Sequence, residues 1–427
     1  MSTTTTVTTV FTLLFGFLFM FFLSSSAMAG TPEVGAINRQ IQAVGARWQA
    51  AETSITKLPM ERRLLRVGFV KPLSVPEDAL LESSKSAAVT ATGSRLDYAC
   101  HNGYNYVTPI RDQGDCGSCW AFSTTSALES QQLLGTMGTA CGTPSSLDLS
   151  EEVLLSCCGA NTCGNCSGGY IDSASSFIES PGLPPYSCFP YPNYSNTNQT
   201  PPSCSKAKCS SWQSDTSAIK GWGWVATTSP TVAALKNALA AHGPLVTTMN
   251  VYNDFASYGE GVYSYIGGSY NPYLGGHAVT IVGYDDAISA FYVKNSWGTG
   301  WGEKGFFWID YNQLESPVQF GWYTIAYHGY KTVQSSCSYS ISPTLVAVTA
   351  AGGYADVRVT TQSGCSWRAV SNVDWIAVVS GAKGSGDGTV RYHVYPNPTS
   401  ISWTGTLTIG QKTFTIKQAP NTEALRF

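Results

Sequence analysis

Charge is thin on this chain. Of its 427 residues only 12% are Lys, Arg, Asp or Glu, the two signs nearly cancel at a net charge of −3, and histidine occurs five times. Without a basic cluster there is no electrostatic footprint for nucleic acid, and that class of partner is excluded. No metal-ligating or cofactor-binding set stands out, so neither group is expected. Beyond residue 30 no apolar run is long enough to span a bilayer. A chain of this length is expected to form two or three units, each with its own core.

The apolar run that does occur lies at the start. Val10 to Leu23 is Phe-rich, broken only by Thr12 and Gly16, and ends in Ser24-Ser-Ser-Ala27-Met28-Ala29. The A-x-A ending predicts a signal peptide over residues 1–29, cut after Ala29, with no stable membrane span afterwards. The first nine residues carry no Lys or Arg, so a retained anchor is the alternative reading. Thirteen cysteines behind an export signal fit an oxidising compartment, and the odd count leaves one thiol over.

The stretch Gln113-Gly-Asp-Cys-Gly-Ser-Cys-Trp-Ala-Phe-Ser123 shows where that thiol belongs. Trp120, Ala127 and Leu134 recur every seven residues with Ala121 and Leu128 beside them, which predicts a helix with one buried face starting near Cys119. The N–H groups and dipole of a helix N-terminus favour an anion, so Cys119 is expected to lean toward thiolate. Two plainer readings compete. Cys116 and Cys119 form C-x-x-C, which suits a redox dithiol, and either residue could be structural.

Cys116-Gly-Ser-Cys119-Trp120 resembles the local signature of the papain-like cysteine proteases. The resemblance makes Cys119 the nucleophile. It also makes Gln113, six residues earlier, an oxyanion donor together with the backbone N–H of Cys119; such a donor is worth roughly 2.7–4 kcal/mol of barrier. A thiol nucleophile needs an imidazole to take its proton and return it to the leaving group. Gly275-Gly-His277-Ala-Val-Thr-Ile-Val-Gly-Tyr284 matches the family's histidine segment and assigns that task to His277. Lys294-Asn295-Ser-Trp297-Gly-Thr-Gly-Trp301-Gly302 resembles the family's N-S-W-G-x-x-W-G segment, in which Asn295 orients the imidazole and Trp297 shields it. His277 and Asn295 lie 158 and 176 residues after Cys119, more than the usual 130–150 or so. Insertions near Cys141 and in a Pro-rich loop are therefore expected.

Between these landmarks, Ser150 is a plausible N-cap for a second helix, and Cys157 to Tyr170 resembles the cathepsin B branch. Gly168, Gly169 and Tyr170, with Trp297, become candidate substrate-binding residues, since glycines admit an extended peptide backbone at close range. The resemblance pairs Cys116 with Cys166, Cys158 with Cys163 and Cys100 with Cys141, leaving Cys157, Cys188, Cys204 and Cys209 for two more bridges. Pro181 to Pro202 holds seven prolines and reads as loop between two lobes rather than core. Ser229 to Gly243 reads as a capped helix. Leu245–Val251, Ala278–Gly283, Phe291–Lys294 and Phe306–Ile309 are strand-like and suit the family's barrel-like lobe. Leu314 to Tyr330 does not align with the family's pocket-forming segment, so specificity is unread beyond a preference for an apolar side chain. No paired histidines sit in an inserted loop as in cathepsin B carboxydipeptidases, which favours an endopeptidase.

Residues 30–94 read as propeptide and linker. Ile37, Ile41, Val44 and Trp48 share one helical face, in mild similarity to cathepsin B prosegments, and Pro72 to Gly93 reads as the cleavable linker. An independent helical domain is the alternative. Beyond Ser335 the pattern shifts to short alternating runs separated by Gly-rich turns, as in a β-sandwich. Cys337 to Pro343, Gly364 to Trp367, Asn372 to Ile376 and Gly405 to Ile409 resemble BACON domains, which implies a carbohydrate or mucin ligand. Trp367 and Trp375 are expected in the core, Trp403 on the surface, and Cys337 paired with Cys365.

The expected architecture is α+β: a papain-like fold of a helical lobe plus a β-barrel-like lobe over residues 95–331, then an all-β sandwich over 336–420. The expected function is a secreted or periplasmic cysteine endopeptidase, made as a proenzyme, with protein or peptide substrates. Its rivals are a glycan-binding surface protein on a protease-like scaffold and a thiol oxidoreductase. Asn193-Tyr-Ser and Asn198-Gln-Thr are glycosylation acceptors if the host glycosylates.

Overall fold

A computed structural model describes residues 32–72, 75, 93–195, 200–209, 212–214, 216–268, 271–333, 337–361 and 365–421. The signal peptide, most of the linker and Asn198 lie outside the described residues. The fold is α+β, a helical lobe and a sheet-rich lobe followed by a β-rich C-terminal unit.

The central helix Cys119–Thr136 organises both lobes. It was expected to bury one face, yet every residue from Cys119 to Gln131 is buried, and it is Leu134 on the expected seam that is 37% exposed. One side packs into a core with Leu154, Ile171 and Ile178. The other meets the long strand Tyr273–Asp285, where Thr280 Oγ1 donates to Ser123 O at 3.3 Å. A helix enclosed from both sides needs no polar face, and Ser123 and Thr124 turn their hydroxyls back onto Trp120 O, while the hydroxyls of Thr125, Ser126 and Ser130 are buried without a partner.

Ser150 caps the helix Glu151–Cys157 through Val153 N–H, as expected. In the helix Val232–His242 the cap is Thr231, which accepts from Ala234 N–H, and Ser229 lies two residues outside it. The Pro-rich stretch 181–202 has little regular structure, but it is not peripheral: Leu183, Cys188, Phe189 and Tyr194 are buried in the helical-lobe core. It packs in that lobe because Cys188 is bridged to Cys209 and Tyr194 O accepts from Asp115 N–H.

Among the described residues the largest sheet has nine strands. Its sequence of neighbours is Arg47–Ala50, Tyr258–Tyr263, Phe306–Asp310, Ala290–Lys294, Tyr273–Asp285, Leu245–Tyr252, Thr324–Tyr327 and Trp222–Ala226, with Arg95–Asp97 on Tyr273–Asp285. The edge strand corrects the helical reading of Trp48. The helix Pro32–Val44 stops at Gly45, whose φ of 66° suits a glycine turn. Asn38 then holds both the N–H and the carbonyl of Ala50. Trp48, placed opposite Gly261, buries its ring against Tyr258 and Tyr263. Val44, left on the helix, is 51% exposed.

All expected disulfides form, and the open pairings resolve as Cys157–Cys204 and Cys188–Cys209. The C-terminal unit stacks two sheets. Tyr339–Ser342, Gly353–Thr361, Gly388–Val394 and Ile376–Ser380 form one, and Leu345–Val348, Lys412–Gln418, Trp403–Ile409, Ser366–Ser371 and Lys383–Ser385 the other. Val357, Val390, Leu407, Phe414 and Trp367 fill the space between them. Trp375 is only half-buried, because it lies just before the strand Ile376–Ser380 and its ring faces Trp403 at 5.4 Å.

Candidate active site

Cys119 opens the central helix, is fully buried and is the one free cysteine among the described residues. The bridge from Cys116 to Cys166 fixes the turn before it, and Gly117 N–H donates to Cys166 O at 2.8 Å. Ala278 N–H donates to Cys119 Sγ at 3.4 Å. The expected lean toward thiolate is not met in this state. Burial pushes the thiol up to about 11, against the pull of the N–H groups of Ala278, Gly68, Trp120 and Cys119. Desolvation outweighs the helix N-terminus because no water reaches the sulfur.

His277 lies on the strand Tyr273–Asp285, and Asn295 follows the end of the neighbouring strand Ala290–Lys294. The imidazole Nε2 stands 2.8 Å from Asn295 Oδ1. Ser296 N–H donates to the same oxygen at 2.8 Å, which identifies it as the amide acceptor and makes Nε2 the protonated nitrogen. Nδ1 therefore carries the lone pair, and it is buried with no hydrogen-bond partner. The Trp297 ring covers the imidazole, centroid to centroid 4.9 Å. Burial pushes His277 down to about 4, opposed by the bond to Asn295. Burial thus favours the neutral form of both thiol and imidazole.

Gln113 is fully buried beside this pair. Ser296 Oγ donates to Gln113 Oε1 at 2.7 Å, which turns Nε2 toward the Cys116–Cys119 turn, where it donates to Cys116 O at 2.7 Å. Sequence reasoning missed Ser296, although its place inside the Asn-Ser-Trp segment was the available signal. It also missed Lys294, which donates to Thr108 Oγ1 at 2.8 Å while Thr108 bonds Glu129 on the central helix. That chain ties the residue before Asn295 to the helix that carries Cys119.

The cleft is filled by the chain's own residues 66–70. Gly169 N–H donates to Gly68 O at 2.8 Å, Val70 N–H to Gly169 O at 3.0 Å, and the N–H groups of Gly68 and Phe69 to Gly276 O at 2.9 Å each. Trp297 Nε1 donates to Arg66 O at 3.1 Å. Both candidate glycines border this segment: a Cβ on Gly168 would come within 2.9 Å of Gly68 O, and one on Gly169 within 2.4 Å of the Trp120 ring. Tyr170 sits apart, as the N-cap of the helix Ile171–Glu179, with its N–H on Cys163 O. The Phe69 ring packs on Tyr323 at 5.5 Å, and Lys71 reaches over the same ring. Tyr323 falls in the segment 314–330 that sequence could not interpret.

Salt bridges fasten this segment down. Arg62 pairs with buried Asp115 at 2.6 Å and Arg66 with Asp112 at 2.6 Å, on either side of Gln113. Arg63 pairs with Glu33 at 2.6 Å and donates to Asn253 Oδ1 at 2.9 Å. Among the described residues no group of three or more His, Cys, Asp or Glu side chains could hold a metal.

The family model for "Papain family cysteine protease" matches residues 93–324. Cathepsin B-like cysteine proteinase 3 of Caenorhabditis elegans is 29% identical over 338 residues, spanning 72% of this chain and 89% of its own. A gut-specific cysteine proteinase of the same organism is 36% identical over 231 residues, 50% of this chain and 68% of its own. Among solved structures, proCathepsin B S9 from Trypanosoma congolense aligns with a TM-score of 0.54 at 23% identity, over 69% of this chain and 97% of that one. This last likeness concerns the fold.

Proposed function

Because the chain belongs to the papain family of cysteine proteases, we propose that it is a secreted cysteine endopeptidase held as a proenzyme by residues 30–94. The observation that carries this reading is the extended backbone of Gly68–Val70, paired with Gly169 and Gly276 beside Cys119. A cleft that holds peptide main chain next to a free thiol is built for peptide substrates.

In the open enzyme His277 Nδ1 takes the Cys119 proton, and the thiolate attacks the peptide carbonyl. Gln113 Nε2 and the Cys119 backbone N–H hold the resulting oxyanion. The imidazolium then protonates the leaving amine, and water attacks the acyl-enzyme with His277 as base, restoring the thiol. Asn295 keeps Nε2 protonated so that Nδ1 faces the reaction, and Trp297 keeps water from that bond. Gly168 and Gly169 pair with substrate backbone, and Tyr170 lies at the end of that edge. Phe69 on Tyr323 supports a subsite for an apolar or aromatic side chain. A dithiol role for Cys116 and Cys119 finds no support, since Cys116 is bridged to Cys166. The C-terminal sandwich is proposed to tether the enzyme to a carbohydrate surface, with the Trp375–Trp403 pair as the candidate contact.

The test is to activate the proenzyme and treat it with an epoxide that alkylates activated cysteines. Labelling at Cys119 coupled to loss of peptide hydrolysis is expected, and Cys119→Ala should abolish cleavage while leaving the fold intact. Substantial hydrolysis by that variant would remove the nucleophile assignment.

A further inference from the structure

Where the sandwich meets the helical lobe there is an open-mouthed cavity of about 170 Å³, lined by Glu179, Ser180, Lys331, Arg368, Lys383 and the Trp367 ring. Four chain segments converge on it: the end of the helix Ile171–Glu179, the strand Tyr330–Val333 that leads out of the peptidase lobes, and two strands of the sandwich. It has no part in the cysteine chemistry.

The charges here are out of balance. Three cations face one carboxylate, and the only ion pair among the described residues here is Arg368 to Glu179 at 3.3 Å. The helix end at Glu179 adds about half a negative charge, which leaves more than one positive charge uncompensated. His328, which feels Glu179 electrostatically, adds no negative charge. Arg368 and Lys383 are direct partners across an antiparallel pair, an arrangement of like charges that destabilises a sheet unless something sits between them. Arg368 Nε is buried with no hydrogen-bond partner, so a guanidinium edge is left unsatisfied at this junction. Lys331 is pushed down from its ordinary value, first by burial and also by Arg368, with Glu179 opposing.

An oxyanion would offset the excess positive charge and separate Arg368 from Lys383, because it accepts from guanidinium and ammonium groups on several sides. The geometry points to a binding site for a tetrahedral oxyanion, sulfate or phosphate, held by Lys331, Arg368 and Lys383 between the peptidase and the sandwich. The same chemistry could be presented by the free ion or by a sulfate or phosphate ester on a saccharide. Bound in either form, the anion joins two units that are otherwise bridged, among the described residues, by the hydrogen bonds Thr162 Oγ1 to Ser371 O and Gln411 Nε2 to Gln213 O.

The experiment is calorimetric titration of the full-length proenzyme with sodium sulfate and with sodium phosphate, against sodium chloride at equal ionic strength. A saturable one-to-one isotherm is expected for the oxyanions and not for chloride. Lys331→Gln and Lys383→Gln should each weaken it by about tenfold, the worth of one charge-assisted hydrogen bond. Lys383 is exposed, so its variant is expected to fold, and circular dichroism of both variants checks this. No saturable binding, equal binding of chloride, or full affinity in both folded variants overturns the site. A sulfated disaccharide that binds more tightly than inorganic sulfate identifies an ester as the source, and equal affinity identifies the free ion; either result supports the site.

Discussion

A Cβ added to Gly68 would lie 2.0 Å from the carbonyl oxygen of Gly117, two residues before Cys119. The segment 66–70 crosses the cleft at a separation that excludes any side chain at this position. Arg66 and Phe69 grip on either side of that crossing, through Asp112 and Tyr323.

Gly68→Ala should therefore loosen the prosegment without altering the mature enzyme. Overpacking typically costs about 1–3 kcal/mol, so a peptide of residues 30–94 carrying the change should inhibit the mature enzyme at least about fivefold more weakly than the wild-type peptide. Inhibition constants on one batch of activated enzyme measure this. Equal inhibition by both peptides would mean that the segment does not occupy the cleft in solution.

Asn295→Ala removes the acceptor for His277 Nε2–H, leaving a buried donor unpaired at about 1–3 kcal/mol. The expected fall in kcat/KM is about 5- to 150-fold, carried mainly by kcat. The acid limb of the pH–rate profile should move as well, since the bond to Asn295 raises the pKa of His277. A fall confined to KM, with an unmoved acid limb, would argue against a positioning role.

The motifs around Cys119, His277 and Asn295 were legible because each is local: a few adjacent residues carry the chemistry and the turn that presents it. What sequence could not show depends on distant partners. Trp48 has the spacing of a helical face, yet its partner Gly261 lies far along the chain, and a sheet edge needing one more strand overrides the local period. Gly68 has no local motif at all, since its requirement comes from Gly117 across the cleft. The thiol was misjudged for the same reason: helix position is written in sequence, whereas burial beneath residues 66–70 is not.

Stability should respond to pH in two opposing ways. Burial raises Glu151 to about 8 and Glu152 to about 7. Carboxyls with raised folded pKa values contribute stability that is full below their unfolded values and lost as pH rises through 7 to 8. His277, lowered by burial to about 4, acts in reverse: stability is lost as pH falls below its unfolded value of about 6.5. Glu33, held below its ordinary value mainly by the hydrogen bond from Arg63, adds a loss at still lower pH, as its folded pKa is crossed. Between about pH 4.5 and 6.5 the gain from His277 offsets the loss from only one of the two carboxyls, so the proenzyme should be most stable near about pH 4.5 and lose stability as pH rises to 8. Thermal melts of inactive Cys119→Ala proenzyme across pH 4 to 8 measure the curve, with pH values set around the cited shifts. Glu33→Gln should flatten its most acidic part. A melting temperature still climbing at pH 8 would contradict the buried-carboxyl assignment.

The chain should tolerate a cut between Val333 and Cys337 without loss of catalysis on a small peptide. The strand Tyr330–Val333 still belongs to the peptidase side, where it pairs with Thr216–Ile219, so the break must follow it. Beyond that point the sandwich has its own core around Val357, Leu407 and Phe414 and its own bridge from Cys337 to Cys365. None of Gln113, Cys119, His277 or Asn295 contributes to the contacts with the lobe, which rest on Thr162, Glu179 and Gln213. The fragment from Ser335 to Phe427 is therefore expected to fold alone, and the truncated enzyme to keep its kcat/KM on a small substrate. If the sandwich tethers the enzyme to a glycan surface, truncation lowers activity on a glycosylated or insoluble protein while sparing the peptide. Loss of small-peptide activity on truncation would instead mean that the sandwich braces the helical lobe through Glu179, and equal activity on both substrates would leave the two units separable and remove the tethering role.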